Sequence, residues 1–418
     1  MVIIKKSHIV IIALFLFSFA IFGKELKLTN ISVNGLSRTK MSTVLNITGL
    51  ETGMKVDENT ADKVRQKLLE PGIFRNDISV FLTEKENEAA EIDITLYDRW
   101  TFIPLPVGFV SNDSWLAGAV VIESNLLGLN QALVAGTFIS GESIQGFGAW
   151  SIPNFNESNN SFGISASYNF SLEEYLDVSG ENTLASFDKS EFSTRIRTGN
   201  AFLSILNYEF STGFEWLKRE NTQDIFNNFN NNQWFWQNSF SLDWDNLYYM
   251  SFFNRGWSID LKNTLHTAFQ DTRTEPEVAF SLSRNFVLLD RHLLKAKIDS
   301  GWQRSKREIP ILIGGSEGSR ALPTGNIAVS NYASGIISVE PVVLKFSWGI
   351  FTTPVYYEAG LFTPHMEDER ILWHGPGIGF RFYVDKVAIP ALGADFTWDL
   401  KNNSFRVAVS IGGSGGGE

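Results

Sequence analysis

The ten residues FGISASYNFS (Phe162–Ser171) decide how this chain folds. Phe162, Ile164, Ala166, Tyr168 and Phe170 take every second position, and Gly163, Ser165, Ser167, Asn169 and Ser171 fill the places between. A period of two puts the apolar set on one face of an extended strand and the small polar set on the other. The alternation returns with Trp257, Ile259, Leu261 and Leu265 against Ser258, Asp260, Lys262 and Thr264. It returns again with Leu392, Ala394, Phe396, Trp398 and Leu400 against Gly393, Asp395, Thr397 and Asp399. About sixteen such segments, each of roughly ten residues, fit between Thr101 and Ser414, and ten residues are what a tilted strand needs to cross a bilayer. No helix-length apolar run interrupts them.

The connections alternate too. Asn125–Asn130 and Tyr383–Ala388 are short, whereas Leu172–Ser190, Arg219–Asn232 and Thr363–His374 are long. Short turns on one side and long loops on the other predict an antiparallel transmembrane barrel over residues 99–418, with the short turns in the periplasm. A soluble sandwich or a large lipocalin-like barrel also alternates. Against it stand an aromatic outer face, with 34 Phe and 12 Trp in the chain, and a strand number too high for side chains to fill the interior.

Residues 1–23 carry Lys5 and Lys6, an apolar run from Ile9 to Phe22, and small residues at Ser18, Ala20 and Gly23. This is the build of a secretory signal peptide, with an N-terminal anchor as the competing reading. Cysteine is absent, which excludes a disulfide scaffold and thiolate chemistry. The net charge of −11 offers no basic face for nucleic acid. No catalytic carboxylate pair and no Ser/His/Asp arrangement supports an enzyme. His365 and His374 share a loop with Glu367, Asp368 and Glu369, but their spacing fits no zinc site, so no metal and no cofactor is expected.

Residues 24–98 read differently, as a small α+β module. Leu26, Leu28, Ile31 and Val33 suggest a strand ending at Asn34-Gly35, followed by a short helix around Met41–Ile47. A second helix spans Asp57–Leu69, capped by Asp57 or Asn59, with Ala61, Val64, Leu68 and Leu69 on one face and Pro71-Gly72 as its stop. Ile78, Val80 and Leu82, then Ile92, Ile94 and Leu96, alternate as two strands. The predicted order is strand, helix, helix, strand, strand.

This combination resembles the BamA/TamA-type outer-membrane assembly factors of the bacterial surface antigen type, in which periplasmic POTRA modules precede a sixteen-stranded barrel. ISVNGLSRTKMSTVLNITGLETG, LLEPGIFRNDISVFLTE and EIDITLYDRW together look like one POTRA module, and NLLGLN like the first barrel turn. GGSEGSRALP (Gly314–Pro323) is similar to the long sixth loop, where Arg320 matches the arginine of the usual Val-Arg-Gly-Phe/Tyr core but its neighbours do not. ISVEP matches the acidic position of the twelfth strand at Glu340. VYYEAGLF matches Phe-x-Asp-x-Gly of the thirteenth, with Glu358 for aspartate, and GPGIGFRFYV resembles the fourteenth. The chain ends in SIGGSGGGE, where the family usually ends in an aromatic residue.

Parity assigns the faces. Val355, Tyr357, Ala359 and Leu361 share the lipid-facing set, which turns Glu358 into the lumen, and lipid would not accept the charge of Glu340. Arg381 and Asp395 also take lumen-facing positions. If the sixth loop folds inward, Arg320 has Glu340 and Glu358 available to its guanidinium and reads as a loop lock, the alternative being a solvated loop cation. The first barrel strand, TFIPLPVGFV, has Pro104 and Pro106 two apart, so both missing donors face one neighbour. If that neighbour is the last strand, where Gly412 and Gly413 interrupt the run after Ile411, the closing seam is weak; alternatively the prolines merely begin the strand.

The resemblance implies an outer-membrane assembly, insertion or translocation factor in a Gram-negative-type envelope. Its partners would be unfolded outer-membrane or secreted client proteins, received at the POTRA module and passed through the seam into the lipid bilayer, with periplasmic or lipoprotein accessory subunits. One module is fewer than a main insertase usually carries, which suggests an accessory or specialised role. A two-partner-type secretion pore would be favoured by an N-terminal plug helix, and none fits between Gly23 and Leu26. A passive porin would need neither module nor lock.

Overall fold

The computed structural model describes the chain apart from residues 1–24, 111–114, 142, 156–157, 159, 177–182, 204, 225–231, 251, 271–272, 290, 304–309, 314–326, 366–368, 387–391 and 412–418. The expected signal peptide, Arg320, Gly412 and Gly413 all lie outside the described residues.

The N-terminal module contains β1 (Leu26–Asn34), α1 (Met41–Thr48), β2 (Lys55–Val56), α2 (Thr60–Leu69), β3 (Ser79–Glu84) and β4 (Ala89–Thr95). Its sheet runs β2, β1, β4, β3, with β1 and β4 parallel and β3 antiparallel to β4. The strand–helix–helix–strand–strand order is present, with β2 added as a two-residue edge. Leu28, Val44, Val64, Leu68, Ile92 and Ile94 close one core. The apolar positions of β1 change parity between Leu28 and Ile31 because a bulge shifts the register between Leu28 and Asn30. The helix expected from Asp57 begins at Thr60. The Asp57 carboxylate accepts from Asn59 N (3.1 Å) and Thr60 Oγ1 (2.8 Å), folding a turn ahead of the helix.

Every later strand belongs to one closed barrel. The first five are β5 (Phe102–Val110), β6 (Trp115–Leu126), β7 (Gln131–Ser140), β8 (Ser143–Phe155) and β9 (Asn160–Leu176). Then come β10 (Thr183–Leu203), β11 (Leu206–Asp224), β12 (Asn232–Tyr249), β13 (Asn254–Ala268), β14 (Thr274–Leu288) and β15 (His292–Gln303). The remainder are β16 (Ile311–Ile313), β17 (Ile327–Glu340), β18 (Val342–Phe346), β19 (Gly349–Thr352), β20 (Val355–Pro364), β21 (Ile371–Val384), β22 (Leu392–Asp399) and β23 (Ser404–Ile411). These nineteen segments make sixteen staves. β16 extends β15 along β17, Pro341 splits the stave of β17 and β18, and Thr353-Pro354 splits that of β19 and β20. Proline has no N–H to give a ladder, so the breaks fall where the sequence removes a donor.

Strand length departs from the expected ten residues: β9 to β12 run 17 to 21. At about 3.3 Å per residue and a tilt near 40°, a strand of that length outreaches the ~25 Å apolar band of an outer-membrane barrel. The band is marked on β12 by outward Trp234 and Trp244. Much of the stretches Leu172–Ser190 and Arg219–Asn232 is therefore strand rather than loop. They read as loops because their outward positions no longer face lipid and lose the apolar signal. What keeps them extended lies inside: Lys189 Nζ bridges Glu173 (2.9 Å) and Glu191 (2.8 Å), and the rings of Tyr175 and Phe187 meet edge-on at 5.2 Å.

These tall strands meet the opposite wall. Ile327 of β17 pairs in parallel with Leu176 of β9, and Ala328 joins Tyr175, Ala185 and Phe187 in a small apolar cluster. A second cluster of Ile313, Ile327, Val329, Phe362 and Trp373 backs it, so an apolar lid bridges the mouth far from the module. Beneath lies a polar lumen cavity of about 870 Å³, whose lining includes Glu70, Asn76 and Arg99 of the module side and Arg195, Asp243 and Lys297 of the wall.

Ile327 is fully buried. Ile327→Asp places an unpaired carboxylate in the lid, which should part it from β9. Planar-bilayer recordings should then show higher conductance while semi-native electrophoresis still shows a folded barrel; unchanged conductance would mean that other contacts hold the mouth.

Candidate functional site

Two places concentrate chemistry, the inner wall of the last staves and the junction of module and barrel. On β20, Val355, Tyr357 and Leu361 are exposed to the lipid side while Tyr356, Glu358, Gly360 and Phe362 are buried. Glu340, at the end of β17, is fully buried and accepts from Thr352 Oγ1 (2.5 Å) and Tyr383 OH (2.8 Å). Glu358 pairs across the ladder with Ile336, four residues from Glu340. Four residues span ~13 Å of backbone along a strand, so the two acids stand at different heights on one inner wall, and the arginine expected between them lies outside the described residues. Glu358 stands nearer the lid, and Glu340 lies beside the proline break and is held by the wall itself.

Arg381 and Asp395 are brought together. Arg381 Nη2 donates to both Asp395 oxygens at 2.8 and 2.6 Å, and both side chains are buried. Gly379 makes room for them, since a Cβ there would sit 2.3 Å from Asp395 Oδ1. Next to this pair, Tyr356 OH and Thr397 Oγ1 lie 2.7 Å apart. The inner wall of β20 to β22 is thus cross-linked by charge-assisted and hydroxyl bonds.

Closure sets β23 beside β5. Ser124 N donates to the carbonyl of Thr101 at 3.2 Å, and the register of β5 on β6 continues unbroken through Val110. In an antiparallel ladder alternate residues turn their backbone groups to the same neighbour. Thr101, Ile103 and Leu105 therefore address β6, and Phe102, Pro104 and Pro106 address β23. Both prolines are exposed on the lipid side.

The junction is the part that sequence reasoning missed. Arg38 donates through Nη1 to Thr101 Oγ1 (2.8 Å) and through Nη2 to the buried Glu123 (2.5 Å). Lys40 N and Thr43 Oγ1 donate to the carbonyl of Gly128 at 3.0 and 2.7 Å. Gly128 has φ +72, and a Cβ would meet the Arg38 carbonyl at 2.3 Å, so only glycine allows the turn to seat here. Asp98 receives Ser37 N (2.8 Å), Arg38 N (2.7 Å), Ser37 Oγ (2.9 Å) and the Thr39 hydroxyl. Burial opposes the Asp98 charge, but these donors outweigh it and hold its carboxyl below the usual range. On the other side, Asp385 Oδ1 accepts from Asn76 N at 3.1 Å and lies 3.5 Å from Arg99 Nη2, and Trp100 N donates to the Lys386 carbonyl at 3.0 Å. Nothing periodic announces such contacts; the one signal is the charged pair Asp98-Arg99 at the boundary between the two sequence textures.

No family profile matches this sequence, and no curated protein matches it. Solved structures do match in fold. BamA from Haemophilus ducreyi lacking POTRA domains 1–3 is 13% identical, with 91% of this chain and 83% of that chain covered at a TM-score of 0.56. CdiB from Acinetobacter baumannii is 12% identical, covering 93% and 74% with a TM-score of 0.59. CdiB from Escherichia coli is 11% identical, covering 93% and 75% with a TM-score of 0.64. The chain shares the fold of these proteins, a BamA-type barrel preceded by an α+β module.

Removing one member of the Arg381–Asp395 pair strands the other in the wall. Asp395→Ala should cost about 3–5 kcal/mol, and the double variant Arg381→Met/Asp395→Leu should recover most of it. Heat-modifiable gel mobility measures both; a single variant as heat-resistant as the parent would show that the pair is stabilised by nothing it does not already get from solvent.

Proposed function

We propose that the protein is an outer-membrane insertion or translocation factor that receives extended clients at its N-terminal module and passes them through the seam between β5 and β23. The observation that carries this reading is the direction of Pro104 and Pro106: the two donors that proline lacks belong to the ladder with β23. A net hydrogen bond is worth about 0.5–1.5 kcal/mol in water, and an unmade one costs more in lipid, so this is the weakest line of the wall. A barrel opened there presents a strand edge on which an incoming strand can pair.

The module is read as a single POTRA module in the periplasm, over residues 24–98, after a signal peptide at 1–23; residues 99–418 form the barrel. Within the module, β3 is an edge strand with a free side, and Phe81 on it is two-thirds exposed at 66%. An extended client can add there through main-chain bonds. Clients would be unfolded outer-membrane or secreted proteins, with accessory subunits beside them, and no catalysis is involved.

The native chain has no cysteine, so a staple has no background. Leu105→Cys combined in turn with Arg406→Cys, Ala408→Cys or Ser410→Cys samples the registers on one parity. Oxidation should stop client assembly and reductant restore it, while a photo-crosslinker at Phe81 still captures client at the module. Full activity with the staple formed would move the route to the lumen and favour a secretion pore, in which the lid must open.

The sixth loop is read as held by Arg320, with Glu340 and Glu358 on the inner wall as its acidic partners. Arg320→Ala should raise protease cleavage of that loop and Arg320→Lys should restore protection only in part, since lysine cannot copy a bidentate fork. Equal cleavage in parent and both variants would leave Arg320 a solvated cation.

A further inference from the structure

The bonds between module and barrel fall in three places: α2 is held at the end of β12, where Tyr249 N donates to Gln66 Oε1 at 2.8 Å and Tyr248 OH to Asp62 Oδ1 at 3.3 Å, and two further groups flank the seam. One group lies on the first two staves: Arg38 on Thr101 and Glu123, Asn125 Nδ2 on Thr39 Oγ1 at 2.6 Å, and the Gly128 carbonyl under α1. The other lies on the turn after β21, where Asp385 and Lys386 take Asn76, Arg99 and Trp100. Between these flanks stand β22, β23 and β5. The line where β23 meets β5 therefore runs down to a module that is fastened on both sides of it.

We propose that the module is a bracket across the base of the seam, and that the seam widens from this end only when the Asp385 fastening lets go. This rests on the reading of β5 and β23 as the opening pair. The flanks are unequal. Arg38 makes its two bonds at 2.8 and 2.5 Å, and the side chains around Gly128 interlock with a turn that only glycine allows. The Asp385 flank hangs on one carboxylate oxygen and one main-chain bond. Arg99 is itself tied to the module by Gly72 O (3.0 Å), Asn76 Oδ1 (2.8 Å) and the Ile73 carbonyl (2.9 Å), so it moves with the module rather than with the barrel. Asp385 is thus the hinge-side catch, and Arg38 with Glu123 is the fixed pivot. A client that adds to β3 pulls on the sheet whose flanking segments, before β3 and after β4, carry Ile73, Asn76 and Arg99, which links capture to opening.

The test reads the seam itself before it reads activity. Spin labels at Leu105→Cys and Arg406→Cys report the separation across β5 and β23 by double electron–electron resonance in the full chain, reconstituted in lipid vesicles. Asp385→Ala should raise the open fraction by roughly tenfold, the worth of a hydrogen bond to a charged group. Asp385→Asn, which keeps an acceptor for Asn76 N, should raise it less. A staple between Asn76→Cys and Asp385→Cys should hold the seam shut until reduced. If Asp385→Ala leaves the label distances unchanged with the barrel folded, the bracket is wrong. If the bracket staple forms and clients still assemble while the β5–β23 staple blocks them, the bracket is again wrong and the seam reading stands. If neither staple blocks assembly, the seam reading falls, and the label distances alone decide whether the module clamps the barrel.

Discussion

A strand edge in lipid has nowhere to put its backbone polar groups. Water satisfies an open edge in a soluble sheet, but hydrocarbon cannot, so a transmembrane sheet has to return upon itself. All else in this molecule is subordinate to that closure. Sixteen staves circle back to β5, and the circle lacks ladder donors wherever a proline stands, as within strands at Pro276 and Pro376, at the breaks of Pro341 and Pro354, and at Pro104 and Pro106, which turn towards β23.

The charges inside obey the same rule from the other side. In the lumen a carboxylate is acceptable if something donates to it. Asp395 has Arg381, Glu340 has Thr352 and Tyr383, and Lys189 sits between two glutamates. Each is on the inner parity and each joins neighbouring staves. The polar interior therefore stiffens the wall of β20 to β22 and the tall wall of β9 to β12, and leaves β5 to be fastened from below by the module.

Much of this was legible in the sequence because a period of two survives any detail of register. Phe162–Ser171 reads as strand without help, whereas the parity break between Leu28 and Ile31, which marks a bulge, passed as one plain strand. Legibility ended where lipid did. Above the apolar band the outward residues of β9 to β12 turn polar, so a strand looks like a loop, and the lid formed by Ile327 and Leu176 joins segments 151 residues apart that no local pattern connects. Arg38 and Glu123 were equally invisible: a polar pair has no periodicity and is defined only once the turn at Gly128 meets α1. The pairing expected of Arg320 rests on parity alone, and shared parity fixes a face but not a height along the strand.

The wall is not of even height. β9 to β12 have 17 to 21 residues, whereas β7 has ten. At a tilt near 40° ten residues rise about 25 Å, the height of the apolar band, and seventeen rise about 43 Å. The excess stands outside the hydrocarbon, so the rim is stepped: one sector projects past the headgroups as a polar palisade, while the sector of β7 ends level with the lipid surface.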